Sequence, residues 1–279
     1  MQPLLQLLNV LLPLGYLLAV VLYGTLYISE TPWSTKVAPR FAQGLALVHG
    51  GYLALAGAVF EHVPVANMWE GMTFIAFALT AVYIGLEWRL GIRSTGAFLL
   101  TPAFVFQVLS SAFVTHTREV EEILRSPWFG VHVTSALLGF AALAIAAVYG
   151  ALYVLLYRSL KGSKVGLVFR RLPSLDVLGR LNWHAMVVGW VGLTLAILVG
   201  IVWVAGLQSR GEITGNFLAD PKFLSTVAIW GLYGLCLAGR LVFRWPSRRL
   251  ATVSLVSFVL MLCSTMVITI FLESFHRFG

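Results

Sequence analysis

Charge is what this sequence has least of. Only 11% of its 279 residues are Asp, Glu, Lys or Arg, against about 25% in a soluble domain. So few charged groups leave too little polar surface for a water-exposed fold of this size. That excludes a soluble enzyme and a nucleic-acid binder. Cysteine is nearly absent as well. Cys236 and Cys263 both fall inside apolar stretches and no CxxC occurs, which excludes a secreted disulfide scaffold and thiol–disulfide exchange. Acidic residues number 11, and carboxylates inside the apolar segments are few, since Glu70 and Glu87 both lie at segment ends. A carrier coupled to ions through a buried acidic relay needs ionisable groups deep in the bilayer. There is also no Ser/His/Asp set, phosphate-cradling glycine loop or HExxH.

What is present is apolar length. Hydrophobic residues make up 59% of the chain and the mean hydropathy is +0.89. Eight weakly polar stretches stand out: 4–28, 41–60, 68–86, 96–115, 131–157, 185–207, 223–239 and 250–272. Each approaches or exceeds the roughly 17–25 residues that cross ~30 Å of hydrocarbon as a helix. The expectation is an all-α polytopic membrane protein with eight transmembrane helices, forming a single membrane domain over 1–279 in the bacterial plasma (inner) membrane. The first stretch lacks a basic leader and a small-residue cleavage site, so it reads as a retained helix. Fourteen of the 19 Lys and Arg residues fall in alternate connections, at 36–40, 89–93, 158–180 and 240–249. Positive charge accumulates on the cytoplasmic side, which puts both termini outside. The net charge of +8 is then a topology signal and an anchor to anionic membrane lipid, with no nucleic acid involved.

Three connections are long enough to carry function. In 158–184, Ser174 could cap a short helix with Leu175, Leu178 and Leu181 on one face, lying on the membrane surface or docking a partner. The segments 116–130 and 208–222 are the other two, the latter with Gly211, Gly215 and Asp220-Pro221-Lys222.

The six histidines carry the chemistry. His132 opens the fifth span and His276 follows the eighth, both on the expected outer side. His49 lies within the second span, nine residues beyond Arg40, or about 13 Å along a helix. His184 begins the sixth, four residues beyond Arg180, and His62 and His116 end the second and fourth spans. A lone histidine at a span end is an interfacial polar residue in its simplest reading. Two on one face could instead ligate a metal or a haem iron through neutral imidazole nitrogens. Haem suits the surroundings better than zinc. Trp69, Trp128, Phe129, Trp203, Phe217, Phe275 and Phe278 offer apolar surface for a porphyrin, though interfacial aromatic belts have the same composition. No CxxCH is present, so the chain carries no covalently attached haem of its own.

Five segments, in order, resemble the haem-handling cytochrome c assembly family (the CcsA, ResC and CcmC group). His62-Val63-Pro64-Val65-Ala66-Asn67-Met68-Trp69-Glu70 resembles its outer P-L-x-N-x-Y-E-S segment, and Val131-His132-Val133 with Gly139 to Ala142 its I-H-V…Y-A-A helix start. Leu175-Asp176 through Gly189-Trp190, Leu193-Thr194, Gly200 and Val202-Trp203 resembles the helix feeding its signature. Asp220-Pro221-Lys222, with Trp230 and Tyr233, resembles the end of its tryptophan-rich signature, and Ser274 to Gly279 its closing G-L-H-S-Y-G.

The resemblance implies an outer haem site with His132 and His276 as axial ligands, beside a loop that includes Phe217 and Asp220 and ahead of Trp230. It also implies an intramembrane pair, His49 and His184. The group implied is haem b, and the activity is translocating or presenting haem at the outer face for cytochrome c maturation: a transporter or chaperone more than a catalyst, working with an assembly partner subunit. The sequence departs from the family where signature tryptophans would stand, with Ile213, Phe217 and Ala219, and Phe223 replaces the acidic residue after Lys222. That erosion is closest to the HemX branch. The alternative it implies is a membrane regulator of haem biosynthesis, acting on the enzyme glutamyl-tRNA reductase through the basic inner loop.

Overall fold

A computed structural model of the protein describes residues 1–114, 122–163, 166–212 and 216–271, with 269 and 270 described by backbone alone. Three of the long helices begin at a side-chain cap. Thr31 accepts a hydrogen bond from Ser34 N (3.2 Å) ahead of Pro32, and Asn67 accepts one from Glu70 N (2.9 Å). Asp220 does the same for Lys222 N and Phe223 N ahead of Pro221. Each cap satisfies first-turn N–H groups that have no partner inside the helix, and proline at the first position lacks only such an N–H. Glu70 reaches back to accept from Ala66 N (2.8 Å), a capping box displaced by one residue. The helix after Asn67 ends on Gly91, whose φ of 66° is left-handed backbone that glycine adopts without steric cost.

The helices are α1 (Gln2–Ser29), α2 (Pro32–Phe60), α3 (Met68–Leu90), α4 (Gly96–Phe113), α5 (Pro127–Lys161), α6 (Leu167–Arg171), α7 (Leu175–Ser209), α8 (Pro221–Leu241) and α9 (Ser247–Phe271). No strand occurs among the described residues. All but α6 are long and apolar enough to span a membrane. The chain is an all-helical, multi-pass membrane protein, and each expected span coincides with one long helix.

α2 and α7 outrun their expected spans the most, for one reason: hydropathy stops at a charge, whereas backbone hydrogen bonding does not. α2 starts at Pro32 and takes Lys36 and Arg40 into its first turns. α7 starts at Leu175, so the expected separate surface helix is instead the beginning of a membrane helix. No proline interrupts 175–185, and Leu178 and Leu181 are buried in the protein.

Contacts divide the chain into two compact units. The first takes α1 to α4, α5 from Leu155 onward, and α6. Within it Tyr23 donates to the Glu87 carboxylate and Arg93 Nε lies 3.3 Å from the other oxygen of that carboxylate. Glu87 is thus a buried, paired end-of-span acid rather than one facing water. Arg171 of α6 pairs with Glu30 at the end of α1.

The second unit takes α5 up to Val154, with α7, α8 and α9. Here α5 and α7 cross backbone to backbone. A Cβ at Gly192 would come 2.9 Å from Gly139 Cα, and one at Gly139 would come 3.1 Å from Leu193 N. Small residues at such crossings let helices approach where lipid gives no hydrophobic drive. Asn182 ties three helices together, donating to Ala146 O and to Ser254 Oγ (both 2.7 Å). Gly192→Val should therefore destabilise the protein by about 1–3 kcal/mol, read as a lower unfolding midpoint in detergent. Gly231, with open space around its Cα, is the control position for the same substitution. Equal midpoints for the two variants would refute the close crossing.

Candidate functional site

His132 lies in the second turn of α5, and what holds its ring is a helix more than sixty residues away. Its Nδ1 is 2.9 Å from Ala196 O. A carbonyl oxygen only accepts, so Nδ1 carries the proton, and in the neutral ring the lone pair is on Nε2. The Ala196 carbonyl has a second lone pair for this bond besides the one its own helix uses. Gly200, one turn further along α7, makes the approach possible. A Cβ there would come 2.8 Å from His132 Nδ1 and Cε1. Ala196, Gly200 and Trp203 follow at i, i+4 and i+7 on one helix face. The Trp203 ring centroid is 6.3 Å from that of His132 and 5.9 Å from that of Phe129. A fixed tautomer, a missing side chain and the Trp203 ring thus converge on one imidazole, with Phe129 packed on Trp203.

The start of α8 carries a cation and an anion two residues apart. Lys222 is half-buried, and its ammonium is within electrostatic reach of His132 and of Asp220. Asp220 itself is 4% exposed, its Oδ1 accepting from Lys222 N (2.9 Å) and Phe223 N (3.1 Å). Phe217 sits in the 3-10 turn Phe217–Ala219 and packs edge-on against Phe223, centroids 5.8 Å apart.

Trp230 is elsewhere. Eight residues past Lys222, it lies about 12 Å further along the α8 axis, stacked on Trp190 at 5.4 Å and 17°. Trp230 Nε1 donates to Thr194 Oγ1 (2.8 Å), and Trp190 Nε1 donates to Trp230 O (3.1 Å). Both indoles serve the α7–α8 joint.

His49, in the first unit, is completely buried. Thr73 Oγ1 donates to Gln107 Oε1 (2.7 Å), and Gln107 Nε2 donates on to Ser111 Oγ (3.0 Å). The Thr73 oxygen is then left to accept from His49 Nε2 at 3.0 Å. The lone pair falls on Nδ1, which accepts from the Tyr16 hydroxyl at 2.9 Å. Both nitrogens are engaged. His184 belongs to the second unit and is exposed on α7, two residues past Asn182. His276 and Ile213 lie outside the described residues, as does His116.

Residues 65–276 match the family described as Cytochrome C assembly protein. The chain belongs to this cytochrome c assembly family. The matched stretch contains His132, His184, Asp220 and His276, and begins after His49. Among similar proteins, Protein HemX of Brevibacillus brevis is 28% identical, covering 81% of this chain and 84% of its own length. The cytochrome c biogenesis protein CcsA of Mesostigma viride is 21% identical, covering 78% of each chain. CcsA of Synechococcus elongatus is 22% identical, covering 85% and 86%.

Within the family's helix after Trp190, Gly200 and Trp203 are legible in the sequence as motif positions. Their convergence on His132 is not, and neither is the Ala196 carbonyl. The alternation of Ala196, Gly200 and Trp203 at helical spacing was the available signal. Asp220, for its part, is committed to capping α8. Asp220→Ala should therefore cost about 0.5–2 kcal/mol of stability and Asp220→Asn far less, compared by thermal unfolding in detergent. Equal losses would show that the carboxylate charge, not the cap, is what the fold needs.

Proposed function

We propose that the chain binds haem at His132, on the outer side of the membrane, and holds or moves it for cytochrome c maturation. The observation that carries this reading is the His132 ring, its Nδ1–H bound to a backbone carbonyl and its lone pair on Nε2. Metal-ligating histidines are commonly oriented by such a bond from the other ring nitrogen. The site has the chemistry haem asks for: an imidazole with its proton on Nδ1, the Trp203 ring beside it with Phe129 packed on that indole, and a glycine where a side chain would displace the imidazole. Haem is cargo here. This chain's residues bind it, orient it and keep water from its faces. The second axial ligand in this reading is His276, and the form carried is haem b, since no CxxCH is available to bond it covalently. The outer placement rests on the 14 of 19 Lys and Arg residues in the alternate connections.

For His49 to ligate iron it would have to release Tyr16, because its Nδ1 lone pair is taken there. The working arrangement is therefore iron at His132, with His184, exposed on α7, as the deeper residue able to meet haem without breaking a bond.

The test is the absorption spectrum of the detergent-solubilised protein loaded with haemin and reduced. Wild type should show the Soret and α bands of six-coordinate, low-spin haem. His132→Ala should lose them, and exogenous imidazole should restore them. Gly200→Ala should weaken haem binding by about ten- to a hundredfold, the usual effect of disturbing a ligand's orienting shell. An unchanged spectrum in His132→Ala overturns the assignment.

A further inference from the structure

The turn between α8 and α9, at the end of α8 away from Asp220, gathers positive charge onto a fixed frame. Arg240, Arg244, Arg248 and Arg249 all fall in this short stretch, and 221–271 contains no Asp or Glu. The frame is Trp245. Its backbone N–H donates to Gly239 O (2.9 Å), and its indole lies against Gly239, where a Cβ would come 2.5 Å from the ring. α8 can seat that ring only because residue 239 has no side chain. Arg249 places its guanidinium over the indole, Cζ 4.4 Å from the ring centroid, which orients the arginine without neutralising it. Arg240 Nη1 donates to Trp245 O (3.4 Å), and Arg244 precedes the tryptophan on left-handed backbone (φ 52°). Among the described residues no carboxylate lies within ion-pair distance of Arg240, Arg244 or Arg249. Asp176, on the α7 helix that packs against Ser247 at Gly179, pairs with Arg180. On the same turn Leu241, Val242 and Phe243 are 72%, 69% and 63% exposed.

We propose that this turn binds one acidic phospholipid. Arg240 and Arg249, both tied to Trp245, hold its phosphate, Arg244 beside them adds charge, and its acyl chains lie along Val242 and Phe243. The guanidinium fork matches phosphate oxygens two at a time. Apolar side chains next to arginines suit the boundary where hydrocarbon gives way to headgroups, with tryptophan at the same level. A headgroup carrying its own ammonium would meet several guanidinium charges and no acid, so a net-negative lipid is favoured over a zwitterionic one. The connection 240–249 belongs to the basic set that the distribution of Lys and Arg puts on the cytoplasmic side, where anionic lipids are the natural counter-charge. The overall charge of +8 attracts such lipids diffusely, whereas arginines mounted on a packed indole fix one lipid in place.

The experiment gives the full chain in detergent equal amounts of phosphatidylglycerol and phosphatidylcholine of matched acyl length, and counts bound lipid by native mass spectrometry. Wild type should carry phosphatidylglycerol over phosphatidylcholine by about tenfold, as expected for a charge-assisted contact. Arg240→Gln and Arg249→Gln should each lose most of that preference. Because Arg249 also covers Trp245, Arg244→Gln, at an exposed position, is the second variant, and it should lower the preference with the unfolding midpoint unchanged. Arg89→Gln, which removes a charge from the exposed end of α3 in the other unit, should leave the ratio as it is. Equal losses in Arg89→Gln and Arg249→Gln overturn the proposal, since the attraction would then be spread over the whole basic face. A wild-type protein that does not distinguish the two lipids overturns it as well, and so does a preference that survives in both Arg244→Gln and Arg249→Gln. Inorganic phosphate and glycerol 3-phosphate, at the same concentration as the lipid, should not raise the unfolding midpoint, whereas phosphatidylglycerol should. A free phosphate that stabilises as much as phosphatidylglycerol rules out the lipid as the ligand.

Discussion

Hydrocarbon offers a polar group no water, so a buried donor or acceptor in a membrane helix has to be answered by another protein atom. That requirement organises both units. In the first, the His49 ring bridges Tyr16 and Thr73, and the Thr73 hydroxyl donates to Gln107. One side chain on α2 is thereby tied to α1, α3 and, through Thr73, α4. In the second, Asn182 joins α7 to α5 and α9, and Trp230 joins α8 to Thr194 of α7. Each bond fixes the rotation of a helix that apolar packing alone would leave free, since lipid tails and leucines are equally apolar.

Against that background His132 differs from its neighbours. The His132 proton goes to a carbonyl already committed to its own helix, and the ring's other nitrogen carries the lone pair. The buried histidine and the buried carboxylates of the first unit have their partners inside the protein. Fold and candidate site therefore draw on the same hydrogen-bonding chemistry.

Much of the architecture was legible in the sequence, because span length and hydropathy are local properties. The ends of α2 and α7 were not. Lys36, Arg40 and Arg180 stop a hydropathy window, yet lysine and arginine side chains can carry their charge away from a helix that continues beneath them. The amphipathic pattern of Leu175, Leu178 and Leu181 was read correctly as a helix face, but its burial in the protein depended on contacts that spacing does not encode. Among the site residues, His132 stood out by its place at a helix start. Phe217 and Trp230 looked equivalent as aromatics near one motif, and they part company because eight residues of helix separate Lys222 from Trp230.

By itself the sequence determined the class of solvent, the number of long helices, and the order of motifs that makes this a cytochrome c assembly protein. Those follow from composition and from periods of a few residues. Only the tertiary structure decided which atoms hold each imidazole. Both outcomes depend on a partner far along the chain: Tyr16 and Thr73 for His49, and the Ala196 carbonyl with its glycine neighbour for His132. A histidine's ligating form is set by the bond its other nitrogen makes, and that bond exists only once the helices have met.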